Sequence, residues 1–209
     1  MIVVVDYGMG NLRSVSKALE HLGAAARVTS DPTDVERADK LILPGVGAFG
    51  AAIQELERRH LVVPIKTAIE RGIPYLGICL GLQLLFEQSE EAPGASGLGL
   101  LNGTVKRFAA ANSLKIPHMG WNQVGRRQKA EGRRQNGCPL LNGLLDGSFF
   151  YFVHSYYADP VDRSIVALES DYGVRFAAMV WRDRLFATQF HPEKSQALGL
   201  RLLESFVRL

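Results

Sequence analysis

The chain opens on an unbroken apolar run, Ile2-Val3-Val4-Val5, which predicts a strand over 2–6 covered on both faces. Val15, Leu19 and Leu22 then recur at helical spacing within 11–22. A short strand follows over 25–29 and another over 40–43, the second stopped at Pro44. Ile53, Leu56 and Arg59 give 49–59 a helical pattern, and 61–71 reads as a further helix. The apolar segment 73–78 returns to strand and runs into a helical stretch over 80–87. Alternation of strand and helix on this scale predicts a parallel sheet with helices on both faces.

The second half changes period. Segments 149–153, 164–169, 173–181 and 184–190 are rich in aromatic and β-branched residues and read as strands, with a tight hairpin at Arg182-Asp183. Leu198, Leu202 and Phe206 place a closing helix over 195–209. Residues 88–103 and 125–147 are rich in Gly, Pro, Ser and Asn and read as loops. No repeat and no linker divides the chain. The fold expected is α/β, a single open, mixed and mostly parallel sheet flanked by helices, in one domain over 1–209.

Composition narrows the class. With 209 residues, 47% of them hydrophobic and 22% charged, the chain can build one sizeable core. No apolar stretch approaches the roughly 20 residues of a membrane span. The opening run lacks a basic leader, so no signal peptide is expected. Two cysteines far apart make neither a disulfide framework nor a metal pair, which suits a reducing cytoplasm. The net charge of +3 arises in 126–134, where Arg126, Arg127, Lys129, Arg133 and Arg134 face only Glu131. No aromatic residues lie among them, so we read a solvated surface insertion rather than a nucleic-acid patch.

Chemistry enters at Cys79. It stands in Gly77-Ile78-Cys79-Leu80-Gly81, where a strand meets a helix. Small flanking residues permit a sharp nucleophile elbow, lifting the thiol off the sheet and aiming the next helix's N-terminus at it, which favours the thiolate. A cysteine nucleophile needs a base, and the base an orienter. Gln189-Phe190-His191-Pro192-Glu193 supplies both after a late strand, with Pro192 ending the ladder and Glu193 able to turn back to His191. Both groups follow strand carboxyl ends, where sites of open α/β sheets collect. A metal site at His118, His154 and His191 is the weaker alternative, since none shares close ligand spacing.

An oxyanion needs donors. One is expected from the Leu80 N–H, the second from the loop Pro44-Gly45-Val46-Gly47-Ala48-Phe49-Gly50, at Val46 or Gly47. A phosphate cradle is the other reading of that loop, but it lacks the Gly-Lys-Ser/Thr ending of a P-loop. Asp6-Tyr7-Gly8-Met9-Gly10-Asn11 suggests a dinucleotide turn whose third glycine is missing, Arg13 standing there; it reads as a structural turn or part of a partner-facing surface. Cys138, in a polar loop before Pro139, reads as an incidental thiol.

Together, Pro-Gly-Val-Gly (44–47), Gly-Ile-Cys-Leu-Gly-Leu-Gln (77–83) and Gln-Phe-His-Pro-Glu-Lys-Ser (189–195) resemble the class I, triad-type glutamine amidotransferases, in order and spacing across the whole chain. The resemblance implies their flavodoxin-like fold, a Cys79–His191–Glu193 triad and a glutamine substrate. It also implies glutamine contacts at Gln83, Glu91, Gly45 and the run His154-Ser155-Tyr156, and no metal or cofactor. Pro117-His118-Met119-Gly120-Trp121-Asn122, Tyr151-Phe152-Val153-His154-Ser155-Tyr156 and the opening 6–11 motif narrow it. They resemble the glutaminase subunits of imidazole glycerol phosphate synthases.

That narrower resemblance implies a heterodimer with a separate (β/α)8-barrel cyclase, which would take ammonia without its meeting bulk water. It places Asn11, His118, Met119, Trp121, Asn122 and Lys194 at the partner interface. It also motivates the expectation that loop 44–50 is misaligned at rest and completed by the partner. Other synthase partners, a silent binding subunit and another cysteine hydrolase are the competing readings. Met119-Gly120-Trp121-Asn122 argues against the first, and the intact triad positions against the second.

Overall fold

A computed structural model describes residues 1–109, 114–126 and 137–209. The basic stretch after Arg126 lies outside the described residues. In chain order the elements are β1 (Ile2–Val5), α1 (Leu12–His21), β2 (Ala26–Thr29), α2 (Pro32–Glu36), β3 (Lys40–Gly45) and α3 (Phe49–Arg58). Then come α4 (Val62–Glu70), β4 (Tyr75–Cys79), α5 (Leu80–Gln83), β5 (Phe86–Ser89), β6 (Leu101–Arg107) and β7 (His118–Arg126). The last are β8 (Ser148–His154), β9 (Tyr156–Pro160), β10 (Val166–Asp171), β11 (Arg175–Arg182), β12 (Leu185–Thr188) and α6 (Gln196–Val207).

Nine strands form one open sheet in the order β2-β1-β3-β4-β12-β11-β10-β7-β8. From β2 to β12 neighbours are parallel; from β12 to β8 they are antiparallel. The parallel half explains its own apolar runs. Val3, Val5, Leu41 and Leu43 face one apolar layer with Phe49, Ile53 and Leu56 of α3 and Ile65 of α4. Val4, Ile42, Leu76 and Ile78 face the other, with Val15 and Leu19 of α1 and Leu202 and Phe206 of α6. Both faces are covered, so no polar alternation is needed.

Three expectations are corrected. The helix expected over 80–87 is only the turn Leu80–Gln83, after which the chain enters β5. Leu82, Leu84, Leu85 and Phe86 are all buried, and an apolar run this short does not distinguish helix from strand. Gly97 lies against the Leu84 and Phe86 carbonyls, where a side chain would overlap the strand. Second, the expected mixed sheet flanked by helices is present, but it is joined by a smaller one, β5-β6-β9. Third, 88–103 is not all loop, since β5 ends and β6 begins within it. Asn102-Gly103 looks like a turn, yet Gly103 lies inside β6 because a Cβ there would meet the Asp159 carbonyl of β9 at 2.5 Å.

Strands β7 and β9 and helix α2 lie outside the expected elements. The start of α2 is nonetheless encoded locally: Asp31 accepts from Thr33 N–H at 2.8 Å, with Pro32 at the first helical position. The hairpin expected at Arg182-Asp183 is present, closing on the Arg182–Leu185 pair with Asp183 at φ 55°. Cys138, read as an incidental thiol in a polar loop, is buried in the second apolar layer.

Candidate active site

Cys79 ends β4 and begins α5 at φ 55°, ψ −106°, a conformation strongly disfavoured for a residue with a Cβ. Its two glycine neighbours make the bend. A Cβ on Gly77 would stand 2.5 Å from the Gly81 carbonyl, and one on Gly81 would overlap the Leu43 carbonyl of β3. The four-residue α5 is much shorter than expected, so what it offers the sulfur is its first free N–H groups rather than a long dipole.

Neighbouring strands deliver the rest. Gly45 pairs with Cys79 and Pro44 with Ile78 across β3–β4, while Thr188 pairs with Ile78 across β12–β4. Residues 189–191 therefore emerge beside the thiol. His191 is pinned by its own backbone: its N–H donates to the Tyr151 carbonyl at 2.9 Å, and its carbonyl accepts from Ser195 Oγ at 2.6 Å. The chain then makes one tight 3-10 turn, Pro192–Lys194, which returns Glu193 to the ring. Glu193 Oε1 lies 2.8 Å from His191 Nδ1, and both side chains are buried, at 1% and 2% exposure. Gly199 of α6 makes room for that turn, because a Cβ there would overlap the Pro192 carbonyl.

The electrostatics follow from this burial. Desolvation alone would strip the proton from His191. The Cys79 sulfur, as charge and as acceptor, and then the Glu193 carboxylate outweigh it and lift the imidazole to about 10. Among the described residues Nε2 has no hydrogen bond of ordinary geometry, so its coupling to the sulfur is chiefly one of charge. Glu193 Oε2 is likewise without a partner, which makes a protonated His191 its compensating charge. Burial, and the Cys79 charge after it, also hold the Tyr7 hydroxyl protonated well above its ordinary range.

A cavity of about 320 Å³ opens over Cys79. Val46, Gly47, Leu80, Gln83, Glu91, His154, Ser155, Tyr156 and His191 all line it, as do Pro117 and Val153. Gly47 bends the loop at φ 96°. Gly45 lies beneath the loop, where a Cβ would meet Tyr7 Oη at 2.5 Å and Leu80 Cβ at 2.8 Å. Glu91 Oε2 accepts from the Phe49 N–H at 2.8 Å and so caps α3 directly after the loop. A larger groove of about 520 Å³ lies elsewhere, between Gln123, Arg126, Glu169 and Arg175. Among the described residues it is lined by no cysteine or histidine, and its Ser170 hydroxyl donates to the Gln123 carbonyl, so we place the chemistry in the smaller cavity.

Gln83 is buried and already engaged, donating to the Tyr156 carbonyl at 2.9 Å and to Gln189 Oε1 at 3.1 Å. Gln189, which sequence reasoning did not single out, donates in turn to the Cys79 sulfur at 3.7 Å. Its only sequence signal is its place two residues before His191. The Cys79 thiol also points to the Val153 carbonyl, at 3.9 Å.

Of the residues expected at a partner surface, Met119 and Trp121 are exposed on β7, at 61% and 47%. Lys194 is exposed too, its ammonium 5.8 Å from the centre of the Tyr151 ring. Asn11 is half-buried at the start of α1, behind the turn in which Gly8 N–H donates to Asp6 Oδ1. His118 departs from expectation: it is only 3% exposed, and strand alternation sends it inward between Phe152 and Tyr172. There its Nδ1 meets His154 Nε2 at 2.9 Å, and its Nε2 meets Asn122 Nδ2 at 3.2 Å. Burial holds His118 down at about 4. It holds His154 at about 3, against a bond to the Tyr156 carbonyl that raises it. Among the described residues no group of His, Cys, Asp and Glu is arranged to hold a metal ion, and no helix is long and apolar enough to cross a membrane.

Residues 3–208 match the family described as glutamine amidotransferase class-I. The chain is 53% identical over 211 residues to the imidazole glycerol phosphate synthase subunit HisH of Syntrophotalea carbinolica, across 99% of this chain and 98% of that one. It is 54% identical over 206 residues to the subunit of the same name from Rhodopirellula baltica, across 99% and 96%. Among solved structures, a glutamine amidotransferase superposes with a TM-score of 0.74 over 100% of this chain and 98% of that chain, at 20% identity. PurLQS from Thermotoga maritima does so at 0.72, over 99% and 97%, at 22% identity. Those two likenesses speak for the fold, while the family match and the relatives more than half identical end to end establish that this chain belongs to the class-I glutamine amidotransferases.

Proposed function

We propose that this chain is the glutaminase subunit of an imidazole glycerol phosphate synthase, hydrolysing glutamine at Cys79 for a cyclase partner in histidine biosynthesis. The observation that carries the chemistry is the strained elbow that sets the Cys79 thiol beside a buried His191–Glu193 pair at an open cavity. The relatives' shared name carries the choice of synthase.

The Cys79 thiolate attacks the side-chain amide carbon of glutamine, and the carbonyl π electrons move onto oxygen. The Leu80 N–H and a loop N–H at Val46 or Gly47 receive that oxyanion. The tetrahedral species collapses as the C–N bond breaks, with His191 giving its proton to the departing nitrogen; ammonia and a glutamyl thioester result. Water then attacks the thioester, His191 takes its proton, and glutamate leaves with the thiolate restored. Glu193 keeps the imidazole oriented and stabilises its charged form. Gln83, Glu91, Gly45 and residues 154–156 surround the substrate.

Ammonia would pass to a separate (β/α)8-barrel subunit docked over the cavity mouth, in a cytoplasmic heterodimer. The outer face of the β7–β8 pair suits that role, since it exposes Met119, Trp121 and Phe149, with Lys194 beside Tyr151. Docking, and ligand on the cyclase, would realign loop 44–50 and turn the Val46 or Gly47 N–H toward the oxyanion; one missing donor costs roughly 10²–10³ in turnover.

The test is glutamate release from glutamine by the wild type and Cys79→Ala, each with and without the cyclase and its nucleotide ligand. Activity stimulated by the loaded partner and lost in Cys79→Ala is expected. Equal rates with and without the partner would overturn the gating, and no release by a confirmed complex would overturn the glutaminase assignment.

A further inference from the structure

An unbroken line of hydrogen bonds joins the partner-facing strand β7 to the thiol. Asn122 Nδ2 meets His118 Nε2 at 3.2 Å, His118 Nδ1 meets His154 Nε2 at 2.9 Å, and His154 Nδ1 meets the Tyr156 carbonyl at 2.8 Å. From the other side Gln83 Nε2 reaches the same carbonyl at 2.9 Å and Gln189 Oε1 at 3.1 Å, and Gln189 Nε2 reaches the Cys79 sulfur at 3.7 Å.

The polarity of the whole line follows from one group. A backbone carbonyl can only accept, so His154 Nδ1 carries a hydrogen and, in the neutral ring, Nε2 must accept. His118 Nδ1 is then the donor to it, leaving His118 Nε2 to accept from the Asn122 amide. Likewise Gln83 must present its nitrogen to Tyr156, so Gln189 must present its oxygen to Gln83 and its nitrogen to sulfur. Every donor meets an acceptor, and no member can reverse without breaking a neighbour.

The line is also mechanically fixed. His118 and His154 are directly opposed on β7 and β8, and His118 stacks on Tyr172 at 4.1 Å and on Phe152 at 4.9 Å. Asn122 is anchored by a second bond, to the Asp171 carbonyl at 2.8 Å. The next residue back, Trp121, is on the exposed face.

We infer that His118 is a positioning residue for the glutamine site, acting through His154 and the Tyr156 carbonyl on Gln83. It thereby ties the seat of glutamine to strand β7, whose outer face awaits the partner. The inference rests on the glutaminase reading above. His118 touches neither substrate nor sulfur, so its loss should appear in glutamine binding rather than in the chemical step.

The test is steady-state glutaminase kinetics of the complex with wild type, His118→Phe and His118→Asn, with the histidine tautomers of the wild type read by nitrogen-15 NMR. Phe keeps the stacking and removes both nitrogens. Asn places an amide nitrogen where Nδ1 lies and restores the donor to His154. For His118→Phe we expect the KM for glutamine to rise about tenfold with kcat changed less than about twofold, and for His118→Asn a KM within about threefold of wild type.

The spectra should show both rings neutral with the hydrogen on Nδ1. A hydrogen on Nε2 of either ring overturns the inference, even if His118→Phe does not fold. So does an unchanged KM in a folded His118→Phe, or His118→Asn as impaired as His118→Phe. Absence of turnover in the wild-type complex is a different failure, since it overturns the glutaminase reading itself and the inference with it.

Discussion

Gly81 packs its α-carbon directly against the carbonyl of Leu43, leaving no room for a methyl group between α5 and β3. That contact brings the elbow strand and the oxyanion loop to one edge. Gly81→Ala must push a backbone carbonyl aside, so we expect it to destabilise the fold by about 3 kcal/mol. Urea unfolding checks this. Wild-type stability in Gly81→Ala would mean that the elbow is not held by this approach.

The strain at Cys79 makes an opposite prediction. At φ 55°, ψ −106° a glycine is at ease and any other residue is not. Replacing Cys79 by Gly relieves about 1–3 kcal/mol of strain, less about 0.5–1 kcal/mol of added unfolded-state freedom. Cys79→Gly should therefore melt above Cys79→Ala by a margin of about 1 kcal/mol, with both inactive. Equal melting of the two variants would show that the conformation carries no strain.

His191 gives the pH dependence. Burial lowers its proton affinity, but the Cys79 sulfur and Glu193 raise it from an ordinary 6.5 to about 10. A raised folded-state value means its proton stabilises the fold fully below pH 6.5, and that this contribution is lost as pH rises through about 10. Glu193→Gln removes one of the raising charges. Its His191 should lose the proton at lower pH than in the wild type, and kcat should fall by roughly 10²–10⁴. Imidazole titration by NMR reads the first and steady-state rates the second; an unshifted titration would remove Glu193 from its role.

Much of the fold's parallel half was legible, because strands buried on both faces leave continuous apolar runs such as Ile2–Val5. The elbow was legible because Gly77 and Gly81 have no substitutes at those contacts. Strand β6 was not, since Asn102-Gly103 imitates a turn while serving a close strand approach. The short α5 was misjudged because Leu82, Leu84, Leu85 and Phe86 are apolar in either conformation. His118 was placed on the wrong face, because a motif gives neighbours in sequence and not the side of the strand each occupies. Gln189 was passed over, since its contact with the sulfur crosses from β12 to β4 and leaves no local pattern.

Whether Cys79 attacks glutamine is decided by acid-quenching the complex during turnover and mapping its peptides by mass spectrometry. A glutamyl adduct is expected on the peptide carrying Cys79 alone, and none in Cys79→Ala. Ammonia release that persists in Cys79→Ala, with no adduct on the wild-type thiol, would contradict that attack.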